Sequence, residues 1–193
     1  PLHKGLKSAA KSLNSYSANV GKIGAGLVAA GSGILAPITA AVFHFADAGD
    51  QIDKMAARTG ASTNALTEWG FAAEQSGASS EVLEKSFTRL QKNLFDAQAG
   101  TKKSVDALKQ IGFTWDDLKD KSPDEQFELV SGAIGKLENQ TIKAGVANDL
   151  FGRSGVKLLP LFNQGAAGME ALRQEARELG LSIGPEQAKA AAD

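Results

Sequence analysis

Apolar residues at Leu2, Leu6, Leu13, Tyr16 and Val20, with Ala9 and Ala10 between them, recur at helical spacing while lysines take the remaining surface. The pattern predicts a basic amphipathic helix over residues 1–22. Residues 23–46, IGAGLVAAGSGILAPITAAVFHFA, then run for 24 residues without a formal charge when His44 is neutral. A bilayer crossing needs about 20 residues, so the run is long enough. Eleven of the 24 are Gly or Ala and Pro37 interrupts them, so the transfer free energy per residue is weak. Two readings stay open: conditional insertion into a membrane, or close packing against copies of itself or inside a protein tube. Small residues four apart (Gly21 and Ala25, Gly26 and Ala30, Ala29 and Gly33) suit both. The candidate membrane or helix-packing positions are Ile23, Gly26, Leu27, Ala30, Gly33, Ile34, Pro37 and Phe43. A cleaved signal peptide fits poorly, because its apolar core is roughly 7 to 15 residues and this run continues into an acidic helical pattern.

Beyond Ala46 the apolar pattern breaks into short amphipathic helices. TGASTNAL at 59–66 recurs as SGASSEVL at 76–83, a 17-residue step in which Gly60 and Gly77 each close a helix and Ser or Thr caps the next. The second corner leads into a stripe of Leu83, Phe87, Leu90 and Leu94, followed after Gly100 by Val105, Leu108 and Ile111. Thr114–Asp117 is suited to capping a single turn. Ser122-Pro123-Asp124-Glu125 combines an N-cap, a proline at N1 and a glutamate at N3, a strong helix start. Behind it lie Phe127, Val130, Ile134 and Leu137, then Ile142, Val146 and Leu150, and last Met169, Leu172, Ala176 and Leu179. No stretch alternates as a half-buried strand does. The predicted fold is all-α: long N-terminal helices, then a bundle of short capped helices. Its parts are the basic helix 1–22, a Gly/Ala-rich apolar helix with an acidic collar over 23–58, a compact helical module over 59–184, and the start of a further helix at 185–193.

Charge sharpens the division at the front end. The chain nets −1 with a pI near 6.2, which supplies no general attraction for nucleic-acid phosphates. Residues 1–46 hold Lys4, Lys7, Lys11 and Lys22 and no acid, so the remaining 17 cations face all 22 acids. With no cysteine, disulfides, thiol nucleophiles and Cys-based zinc sites all fall away, and packing must hold the fold. The opening Pro1 and the helix-favouring end at 187–193 read as an excerpt from a longer polypeptide.

Four motifs invite chemistry, and each has a plainer reading. Gly152-Arg153-Ser154-Gly155 lacks the Walker spacing, which needs four residues between its glycines and then Lys and Ser/Thr. It also lacks the strands that flank an RNA-clamping GxxG loop. Gly152 and Gly155 are therefore read as a helix end and restart, with Pro160 bending or ending the second piece. DKMAARTGASTNALTEWG, residues 53–70, has the outline of a DNA-reading helix-turn-helix, but its second helix would offer Asn64, Thr67 and Glu68 with no basic residue. Asp47, Asp50 and Asp53 lack an EF-hand's glycine turn and terminal glutamate, and read as a solvated collar. His3 and His44 have no ligand set or triad around them, and any glycosidase pair drawn from Glu68, Glu74 and Glu84 is lost among 22 acids. The residues thus point to no catalytic group, no cofactor, no metal and no sequence-specific nucleic acid.

FADAGDQIDKMAARTGASTNALTEWGFAAEQSGAS, residues 45–79, together with LFGRSGVKLLPLFNQGAAGMEALRQEARELGL, residues 150–181, resembles the tail tape measure proteins of long-tailed bacteriophages and prophages. The resemblance runs over roughly residues 23–185. It implies a non-enzymatic, mostly helical, multicopy virion protein of the tail lumen, made in the bacterial host cytoplasm. Such a protein sets tail-tube length and aids DNA passage into the host. The implied partners are copies of itself, tail-tube and tail-tip proteins, and a host membrane during infection. A ruler should be extended, whereas residues 59–184 are punctuated by Gly or Pro every 12 to 20 residues. The expectation is a globular module within the ruler, with residues 2–58 projecting as longer helices and the linear part following Asp193. A membrane-active helical module is the alternative, and a lytic enzyme has no constellation of residues behind it.

Overall fold

A computed structural model describes residues 49–185 of the chain. The basic helix at 1–22, the eight candidate positions from Ile23 to Phe43, both histidines, Asp47 and residues 186–193 lie outside that range.

Every regular element among the described residues is an α-helix. In chain order they are α1 (Gly49–Thr59), α2 (Thr63–Gln75), α3 (Ser80–Gln98), α4 (Lys102–Gln110), α5 (Trp115–Leu118), α6 (Pro123–Gly135), α7 (Gln140–Lys157), α8 (Leu159–Phe162) and α9 (Gly165–Glu178). The all-α expectation holds for this part of the chain.

Capping side chains set where the helices begin. Ser62 Oγ accepts from the Ala65 amide at 3.2 Å and Ser79 Oγ from the Val82 amide at 3.4 Å, so the second residue of each "AS" pair is the cap in both repeated corners. Ser122 and Glu125 exchange hydrogen bonds in a capping box at the start of α6, with Pro123 in its first turn. Asn139 Oδ1 accepts from the amides of Thr141 and Ile142 and starts α7. These contacts satisfy donors that a helix start leaves without partners.

Phe127, on α6, sits at the centre of the core. Its ring stacks on Phe87 of α3 with centroids 4.1 Å apart. Trp69 of α2 and Phe151 of α7 meet it edge-on at 5.0 and 5.3 Å. Phe162 of α8 meets it edge-on at 6.3 Å and packs on Phe151 at 5.2 Å. Five helices thus converge on one ring, and the expected stripe of Leu83, Phe87, Leu90 and Leu94 is buried with them. The most extensive helix pair is α3 with α7, and α9 lies across α2 and α6.

Two packing details differ from the sequence reading. Ile52 and Met55 of α1, assigned there to the projecting segment 23–58, are buried in the same core as α2 and α3. Ile142, assigned to the apolar face of α7, is exposed, whereas neighbouring Lys143 is buried. The Lys143 ammonium explains the inversion, because it donates to the Gly135 carbonyl at 3.0 Å and to Asn163 Oδ1 at 2.9 Å. A buried cation is tolerable only when its protons are taken up in this way. Leu172 and Leu179 are half-buried at the edge of the apolar surface.

Candidate functional site

Of the four glycines assigned to helix joints, Gly60 and Gly77 follow α1 and α2 with φ of +69° and +83°. Gly152 breaks α7 from within, at φ +70° and ψ −166°. The Asn93 amide group donates to the Asp149 and Leu150 carbonyls, both at 2.8 Å, just before that break. A side chain from α3 thereby serves carbonyls beside the interruption. Gly155 lies elsewhere, buried inside the second run of α7. A Cβ there would stand 2.3 Å from Phe151 Cβ and 2.5 Å from the Ala147 oxygen, so the position is set by close packing across the break and not by a helix restart. Of Gly152 and Gly155, only Gly152 is a joint. The run after Gly152 ends at Lys157, and Pro160 lies in the first turn of the short helix α8, where its missing N–H costs nothing.

The densest polar assembly among the described residues joins α2 to α9. Glu68 is 4 % exposed, on a helix where almost every residue from Thr63 to Ala73 is buried. Its Oε2 accepts from Arg173 at 3.1 Å and from Arg177 at 2.7 Å, and its Oε1 accepts from the Ser182 hydroxyl at 2.9 Å. Arg173 also pairs with Glu128 of α6 at 2.8 Å and with Glu170 at 3.0 Å, and its guanidinium carbon lies 4.9 Å from the centre of the Trp69 ring. Arg177 reaches Glu170 as well. The hydrogen bond that Arg177 donates to Glu170, joined by the charges of Glu68 and Glu170, raises the Arg177 pKa above its ordinary value. Two further contacts fix the segment after α9: Asn64 Nδ2 donates to Ser182 Oγ at 3.1 Å and the Ile183 amide to Thr67 Oγ1 at 3.2 Å.

This arrangement fixes the register of α9 on α2. A carboxylate whose oxygens both accept hydrogen bonds from protein donors is occupied in holding helices together. Thr67 and Glu68, which a helix-turn-helix would turn toward base edges, are covered by α9 and the segment behind it. Of the other two carboxylates weighed as catalytic partners, Glu74 accepts from Ser80 Oγ and Glu84 pairs with Arg58. Each of the three is thus tied to different neighbours.

Sequence reasoning missed Arg173 and Arg177. Their four-residue spacing beside Met169 and Ala176 places both on the margin of the apolar stripe of α9, and Glu68 stands between Leu66 and Trp69 in an otherwise apolar run. Those two irregularities were visible, but which carboxylate answers which arginine depends on the packing of helices a hundred residues apart. Comparison of the chain with protein families, with curated proteins and with solved structures finds no match.

Proposed function

We propose that the chain is part of a phage or prophage tail tape measure protein, a non-enzymatic tail-lumen component that sets tail length and aids DNA passage. Residues 49–185 act as its folded module. The observation that supports this reading joins the resemblance to the packing. The two stretches that resemble the family, 45–79 and 150–181, lie far apart in sequence, yet α2 from the first and α9 from the second meet through Glu68, Arg173 and Arg177. The described residues of both stretches pack into one unit.

The ruler has a simple physical basis. A helix gains about 1.5 Å per residue, so chain length converts linearly into distance. Counting tail length by electron microscopy against in-frame deletions in the parent gene tests it. Tails should shorten in proportion to the extended residues removed, and a constant length would end the reading. The alternative, a membrane-active module, rests on the charge-free run at 23–46. No described helix is long and apolar enough to cross a membrane. Flotation with anionic liposomes tests this alternative, which fails if the 193-residue chain stays unbound.

A further inference from the structure

A groove of ≈ 700 Å³ runs between α1, α3 and the Gly152 break of α7. Its walls carry five cations, Arg58, Lys85, Arg89, Lys92 and Arg153, and two carboxylates, Glu81 and Glu84. Residues 49–185 as a whole hold 16 lysines and arginines against 19 acids, so this excess of positive charge is local. Both carboxylates are already engaged, Glu84 by Arg58 and Glu81 by Lys85, each at 2.6 Å, and Lys92 pairs with Asp96 at 2.5 Å. Arg89 and Arg153 have no carboxylate partner among the described residues.

Both arginines line this one groove. Gly152 leaves room for Arg89, whose Cγ would stand 3.1 Å from a Cβ at that position, so the stem of Arg89 lies across the break. Arg153 follows at once, with Ser154 lining the groove beside it. A guanidinium is a planar fork of donors that matches the oxygens of a phosphate, which the compact ammonium of a lysine does not offer. We propose that this groove binds a phosphate group, with Arg89 and Arg153 as its principal donors and Ser154 as a neutral one. The site is independent of the tail reading, since it needs only the folded module.

The test is a titration of the 193-residue chain with inorganic phosphate at low ionic strength, followed by NMR of the arginine side-chain N–H signals. Saturable shifts at Arg89 and Arg153 are expected, with binding about tenfold weaker or more in the double variant Arg89→Gln/Arg153→Gln. Lys136→Gln, exposed at the end of α6, should bind as the parent does. Should the double variant fail to fold, Arg153→Gln alone carries the same expectation, because its side chain is exposed. A short oligodeoxythymidylate identifies the source of the phosphate: tighter binding than the free ion, lost in the same variant, assigns it to a nucleic-acid backbone, and equal or weaker binding to a free ion. Shifts that do not saturate, or affinity unchanged in the variant, overturn the proposal. So does saturation by a glutamate-rich peptide when phosphate leaves the signals unmoved.

Discussion

Glu68 shows how much a single buried charge can govern in this molecule. Replacing it by Gln keeps its shape and removes the charge that faces Arg173 and Arg177, whose side chains are 14 % and 32 % exposed. Removing one partner of a buried pair leaves the other uncompensated, and Glu128 and Glu170 offset only part of this, so Glu68→Gln should cost about 2 to 4 kcal/mol in urea denaturation. A loss below about 0.5 kcal/mol would show the network to be ornamental. The glycines of α7 make a sharper contrast. Gly145 has nothing within 4 Å of where a Cβ would stand, so Gly145→Ala should stabilise by roughly 0.5 to 1 kcal/mol by relieving the backbone entropy of a helical glycine. Gly155→Ala must displace Phe151 and the Ala147 carbonyl and should destabilise by about 1 to 3 kcal/mol. Thermal melts of the two variants should therefore move in opposite directions. Nothing in the spelling Gly-Arg-Ser-Gly distinguishes its two glycines. One meets a backbone turn and the other meets a neighbouring turn of its own helix, and that difference exists only once α7 is folded.

Among the helices, two capping carboxylates contribute to the pH dependence, beside Glu81 and Asp106, which their lysine partners also hold below the ordinary range. The Ser122 amide and then its hydroxyl hold the Glu125 carboxyl below its ordinary value, and the Thr114 hydroxyl and then its amide do the same for Asp117. A carboxylate with a depressed folded-state pKa contributes stability that is present above its unfolded pKa and lost as pH falls through the folded one. The starts of α5 and α6 should therefore loosen below about pH 4, measurable as faster amide exchange at 114–118 and 122–126. Glu125→Gln should flatten the acid limb for α6 alone, and an acid limb unchanged by that substitution would contradict the assignment. These caps were legible in sequence because a capping box is a local pattern: Ser, Pro and Glu at fixed offsets act on the helix that contains them. Lys143 was not legible. Its neighbour Ile142 is the better apolar candidate by residue type, yet the ends of α6 and α8 present oxygens to the lysine and leave the isoleucine in solvent.

At the scale of the whole molecule, the folded module constrains the ruler reading. Stretched as one helix, residues 49–185 would reach about 200 Å, whereas a packed domain of that size has a radius of gyration of about 14 Å. Deleting the module in frame should accordingly shorten tails by much less than about 1.5 Å per residue removed, while deletions in extended parts of the parent chain should follow that slope. Equal slopes for both would mean that the module unfolds in the tail. Its cohesion converges on Phe127, where α2, α3, α7 and α8 meet α6, so Phe127→Ala should cost about 3 to 5 kcal/mol and lower the melting temperature of the entire module in one transition. The amino-acid sequence by itself determined the helical class, the two repeated corners, the starts of α5 and α6 and the apolar stripe of α3, because each follows from periodicity and capping within a few residues. Only the tertiary structure decided that α1 joins the core, that Gly155 is a packing position, that Glu68 receives two arginines from α9, and that Arg89 and Arg153 share a groove. Each of those depends on which helices lie against one another, and neither the period of a helix nor the residue that caps it specifies its neighbour.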